Sequence, residues 1–128
     1  MARFLLDIQV PTRIVERLVE AGHEVLRAPH AVADEDVVHG CARRHTLLVS
    51  VNQSETMRVA YRAGLRDGLG AFALPLIDRM EREARWKLEL ETADAIAAHA
   101  ALEPPFLCLL TIDRTNRRLH PPEIVRPA

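Results

Sequence analysis

A chain of 128 residues fits one domain, with enough length to bury a core. Its 48% apolar and 27% charged residues exclude a disordered polyelectrolyte, and a formal net charge of −1 excludes bulk attraction to polyanions. No apolar run approaches the roughly 18 residues needed to cross a bilayer. Asp7 also arrives too early for a secretory leader, so a soluble, cytoplasmic protein without membrane contact is expected.

From the N-terminus, Arg3 to Ile8 reads as a short buried strand carrying Asp7 near its C-terminal end. Pro11 suits a first helical position, and Ile14, Val15, Leu18 and Val19 recur at helical spacing until Gly22 closes the helix. His23 to Ala28 is a second strand ended by Pro29. Asp34-Glu35-Asp36 opens a second helix, where acids complement the dipole, and Val37, Val38 and Cys41 give its apolar side. Thr46 to Ser50 is continuous and apolar enough for a central parallel strand. A third helix is expected from about Ser54 to Ala63, stopping at Gly64.

This βαβαβα order predicts an α/β fold with right-handed crossovers and a mainly parallel sheet. Ligands of such sheets bind outside the C-terminal strand ends. Asp7, the 29–34 loop and the 50–55 loop are therefore expected to meet there.

Residues 65–128 are less regular but belong to the same domain. Gly70 to Ile77 is a fourth strand and Asp78 to Ala101 a long helix. Met80, Ala84, Leu88, Ala95 and Ile96 outline its buried side, and Glu81–Arg85 and Glu83–Lys87 are favourable i,i+4 pairs. Pro104-Pro105 breaks the helix before a fifth strand, Phe106 to Ile112. Asp113 to Asn116 has turn chemistry, with Arg117 to His120 as a returning edge strand and a loose, proline-rich end.

Zinc and disulfide chemistry find no support. Cys41 and Cys108 stand far apart without CxxC spacing, and the six histidines show no HxxxH or HExxH arrangement.

The ordered set Phe4-Leu5-Leu6-Asp7 with Pro11, Ala21-Gly22-His23-Glu24-Val25, Asp34-Glu35-Asp36-Val37-Val38 and Leu47-Leu48-Val49-Ser50 resembles the PIN-like proteins related to VapC-type toxin ribonucleases. The match runs over residues 3–60. It implies a three-layer PIN-like fold over 1–128, with 1–64 the better-matched half. It also implies an endoribonuclease that uses Mg²⁺ or Mn²⁺, often the toxin of a toxin–antitoxin pair. Hard dications want carboxylate oxygens, and a bound metal activates water beside the scissile phosphate.

Carried over residue by residue, Asp7 matches the first-strand acid and Asp34 the acid at the second helix. Asn52 and Ser54 stand where the family places two further aspartates, so two negative charges are missing. Asn52 keeps a carbonyl oxygen for a metal, and Asp36 or Glu55 are substitutes for the lost acids. Against metal roles, Asp34 is also a natural N-cap, and Asn52, Ser54 and Glu55 also read as capping residues.

The 17 basic residues are 16 arginines and Lys87. Arg79, Arg82, Arg114 and Arg117 are candidate RNA contacts, competing with intrahelical ion pairs. Three phenylalanines, Tyr61 and Trp86 are too few for a base-stacking platform.

The leading expectation is a PIN-like domain with a degraded nuclease centre, kept to bind RNA or a protein partner. An active ribonuclease with a rearranged acid set is the alternative. An antitoxin-like protein or a homodimer is a partner by analogy. A flavodoxin- or receiver-type ligand module is the third reading, weakened by the lack of a Gly-rich loop after the first strand.

Overall fold

The computed structural model describes residues 1–29, 32–77 and 79–127. Part of the expected 29–34 loop (His30 and Ala31) and the expected helix start at Asp78 lie outside these residues.

Four parallel strands follow the anticipated order. β1 (Arg3–Leu6), β2 (Glu24–Arg27), β3 (Leu47–Ser50) and β4 (Gly70–Ala73) alternate with α1 (Thr12–Glu20), α2 (Asp34–Arg43) and α3 (Glu55–Arg66). After α4 (Arg82–His99) come β5 (Phe106–Leu109), a small β6–β7 pair (Ile112–Asp113 and Arg118–Leu119) and β8 (Glu123–Val125). The main sheet has the order β2-β1-β3-β4-β5-β8, parallel throughout except for the β5–β8 pairing. With helices on both faces, it is a three-layer α/β fold.

Strand alternation sorts the core into two layers. Phe4, Leu6, Val49, Phe72, Phe106 and Cys108 point to one face, where α1 and α4 cover them with Ile14, Leu18, Ala93 and Ile96. Leu48, Ala71 and Ala73 point to the other, beneath Val38 and Cys41 of α2 and Met57, Ala60 and Tyr61 of α3. Both cysteines are buried, and desolvation pushes each thiol up to about 11, as for inert core residues.

The chain reverses direction across the sheet after β2, and the first three crossovers accordingly place α1 on one face and α2 and α3 on the other. From β4 to β5 the chain keeps moving the same way, yet α4 returns to the α1 face and packs along that helix. The β4–α4–β5 connection therefore has the opposite hand to the three before it. Parallel crossovers are overwhelmingly right-handed. One consequence is that, among the described residues, no helix follows α3 on that face, so α3 covers β5 only in part.

Four expectations are corrected. Gly64 does not end the third helix, which runs on to Arg66, with Gly68 in a left-handed turn (φ 92°) just beyond it. Gly64 is instead where α3 passes α2. An added Cβ there would run into Val38 Cγ1 and stand 2.8 Å from Leu69 Cδ2. Gly64→Ala is therefore expected to lower stability by about 1–3 kcal/mol in urea denaturation, despite alanine's better helix propensity. Val38→Ala in the same chain should recover part of that loss.

The C-terminal end is not loose up to residue 125. Glu123, Ile124 and Val125 pair with Leu109, Cys108 and Leu107, because β5 would otherwise be an open edge. On α4 the buried side is Leu88, Glu89, Thr92, Ala93 and Ile96, with Ala84 and Ala95 only half-buried. Neither expected i,i+4 pair forms among the described ion pairs. Glu81 instead meets Arg117 of the hairpin at 3.9 Å.

Candidate functional site

β1 lies between β2 and β3, so the chain leaves it to one side and later returns to the other. The C-terminal ends of β1 and β3 form the switch point where an α/β sheet opens a crevice. A cleft of about 360 Å³ lies there, lined by Asp7, Asp34, Ser50, Asn52 and Met57 among others. The two acids and the amide anticipated from the sequence thus share one cleft, although they are up to 45 residues apart in the chain.

Asp7 follows β1 and is held from three sides. Its Oδ2 accepts from Ser50 Oγ at 2.5 Å and from the Val51 backbone N–H at 3.0 Å. Its Oδ1 accepts from Gln9 N–H at 2.9 Å. With four lone-pair sites on a carboxylate, about one remains unused. Its backbone carbonyl accepts from Arg27 Nη1 at 2.7 Å, which places a guanidinium beside the cleft. Asp7 therefore straps the end of β1 to the end of β3.

Asp34 is the first residue of α2. Ala33 occupies the N-cap position, without a side-chain cap, so the Asp34 carboxylate is not used for capping. Its only described hydrogen bonds are long ones, at 3.4 and 3.5 Å, from the Asn52 amide nitrogen. At the other end of the same amide, Asn52 Oδ1 accepts from Ser54 N–H at 2.9 Å. The neighbouring groups fix this orientation. A flipped amide would set an NH₂ against the Ser54 N–H and a carbonyl oxygen against the Asp34 carboxylate. Asn52 therefore turns a donor, not an acceptor, into the cleft. Ser54 caps α3 by accepting from Met57 N–H at 3.2 Å, as its sequence context suggests.

Behind the cleft lies Tyr61, only 3% exposed. Burial pushes its phenol up to about 12; Ser50 offsets this in part, and the Asp7 and Asp34 charges add to it. The Ser50 hydroxyl already donates to Asp7, and among the described residues the Tyr61 hydroxyl has no hydrogen-bond partner. Nothing about Tyr61 in the sequence distinguishes it from an ordinary helix core residue.

The proposed substitute acids lie outside the cleft. Asp36 is exposed and lines an adjoining groove beside Leu5 and Leu26, which shares Pro29, Val32 and Val37 with the cleft. Glu55 is exposed at the start of α3 and does not line the crevice. Among the described residues, no three His, Cys, Asp or Glu side chains gather closely enough to hold a metal.

The candidate arginines separate. Arg82 stacks on Trp86 at 4.3 Å from the ring centroid, and Arg13 of α1 stacks on the same ring at 3.8 Å. This joins the N-terminal ends of α1 and α4 at the sheet edge that carries the cleft. Glu89, one turn further along, is 6% exposed and lies 4.0 Å from Arg13. Burial holds its carboxyl above the usual range, against the pull of Arg85 and Arg13. Arg79 is exposed in a left-handed turn (φ 56°), Arg114 is exposed in the hairpin turn, and Arg117 is engaged by Glu81.

Compared with family models, curated proteins and solved structures, the chain finds no match in any of the three.

Proposed function

We propose that this chain is a PIN-like nuclease-family domain whose acidic cleft no longer holds a catalytic metal and whose sheet edge binds RNA or a protein partner, with weak or absent cleavage. The observation that carries this reading is the orientation of the Asn52 amide. Its NH₂ stands against Asp34, where a third metal ligand would have to present oxygen. A cation there would face one carboxylate held only by long contacts from the Asn52 amide, one carboxylate already accepting three hydrogen bonds, and an amide donor. Mg²⁺ and Mn²⁺ are hard ions that need several oxygens in a near-octahedral set. These residues do not fit such an ion.

RNA is the leading ligand because the guanidiniums of Arg27, Arg13 and Arg82 lie at the edge that carries the cleft. Phosphate contacts of this kind give affinity that falls with salt and carry no sequence information. A fluorescent single-stranded RNA titrated in EDTA is the direct test. Binding should persist without divalent ions, weaken with added salt, and drop about tenfold in Arg13→Glu/Arg82→Glu, as expected for reversal of phosphate contacts. RNA cleavage that requires Mn²⁺ and stops with Asp34→Asn would restore the active-nuclease reading. No acid at positions 36 or 55 supports it in this arrangement.

A further inference from the structure

From the half-covered β5–β8 face we infer that this chain carries a docking groove for one amphipathic helix of a protein partner, with carboxylates spaced one helical turn apart. This inference does not rest on the nature of the acidic cleft.

Leu107 and Leu109 of β5 point to the α2–α3 face, and Val125 of β8 lies opposite Leu107. On the sheet's other face Phe106, Cys108 and Leu110 are fully buried under α4, whereas these three remain half-buried. Together with Tyr61 and Leu65 they form the floor and one wall of a groove of about 400 Å³. The groove shares no lining residue with the acidic cleft. Its position is the one a fourth crossover of the same hand as the first three would have filled with a helix. The four residues of β5 span roughly 13 Å, close to the length of a helix of two to three turns.

Charge identifies the occupant. Arg58 and Arg62 line the groove, are exposed, and stand four residues apart on α3, so they face the same side. Neither forms an ion pair among the described residues, although like charges at this spacing repel. Glu123 shares the face, opposite Leu109, and pairs with neither. A helix lying beside α3 could set acids at i and i+4 against both guanidiniums while its apolar ridge covers Leu107, Leu109 and Val125. A nucleic-acid backbone would satisfy the arginines but leave the leucines bare. Protein is therefore favoured over RNA at this site.

The test is selection from a displayed library of single amphipathic helices with an apolar ridge and randomised flanking positions, panned against the full chain. Enriched helices should carry Glu or Asp at i,i+4. The best of them, as a synthetic peptide, should shift the amide resonances of Leu107, Leu109 and Val125. Its affinity should fall at least about tenfold in Arg58→Glu/Arg62→Glu, whose exposed positions leave the fold intact by circular dichroism. The same peptide with Lys for Glu should bind the reversed variant better than the natural chain. The inference is overturned if no helix is enriched or the enriched helices lack paired acids. It is also overturned by resonance shifts elsewhere, by self-association through Leu107 and Leu109, or by RNA binding that alone depends on Arg58 and Arg62.

Discussion

Replacing Asn52 with aspartate should give the cleft a Mn²⁺ affinity about tenfold or more above that of the natural chain, or roughly 1.4 kcal/mol. The new carboxylate can still accept from Ser54 N–H with one oxygen, as Asn52 does now. Its other oxygen then faces Asp34 across the 3.4 Å now bridged by the amide NH₂. Without metal, two like charges are pressed together, and the variant should melt below the natural protein in EDTA. With Mn²⁺ the repulsion becomes a ligand pair, and the melting temperature should rise with metal concentration, because the ion binds only the folded state. Adding Ser54→Asp should extend the effect, since aspartate also serves as an N-cap for α3. Calorimetric titration and thermal melts with and without EDTA measure both halves. If the natural chain binds Mn²⁺ at micromolar concentration and Asn52→Asp adds nothing, the cleft is a working metal site and the proposed function fails.

The parts of this site legible in the sequence were those fixed by backbone pattern. Continuous apolar runs at 4–6 and 47–49, each followed by a polar residue, marked two neighbouring parallel strands. From that alone Asp7 and Asn52 could be placed at one edge, and the first turn of α2 put Asp34 beside them. Side-chain competition was not legible. Ser50 reads as the last residue of a strand, yet its hydroxyl occupies Asp7 and leaves the carboxylate little to offer a ligand. Asn52 reads as a neutral oxygen donor, and only the Ser54 N–H on its far side shows that the oxygen is already used. The hand of the last crossover was likewise hidden. An amphipathic helix between two parallel strands has the same periodicity on either face. The half-covered floor of β5 and β8 follows only from where α4 packs. Periodicity also misjudged Gly64, which lacks a side chain because α2 crosses there and not because the helix ends.

Asp7→Asn distinguishes a strap from a ligand by the sign of a stability change. Clustered acids that wait for a metal repel one another, so neutralising one of them stabilises the metal-free protein. Asp7 as found here predicts the reverse. Its two oxygens accept from Ser50 Oγ, Val51 N–H and Gln9 N–H. An asparagine has a single carbonyl oxygen, and in either orientation its NH₂ meets one of the two backbone N–H groups head-on. Ser50 can rotate its hydroxyl to accept, but a backbone N–H cannot. The cheaper orientation keeps the oxygen on Val51 N–H and leaves the exposed Gln9 N–H to water, so the loss is about 0.5–1.5 kcal/mol, the net worth of one hydrogen bond. Asp7→Ala should cost more, since all three donors lose their acceptor, and Ser50→Ala less, since Val51 and Gln9 keep theirs. Urea denaturation in EDTA, with the slope checked for a constant denatured state, gives the order directly. An Asp7→Asn protein more stable than the natural chain would mean that repulsion with Asp34 outweighs the strap, and that these two acids are arranged for a cation after all.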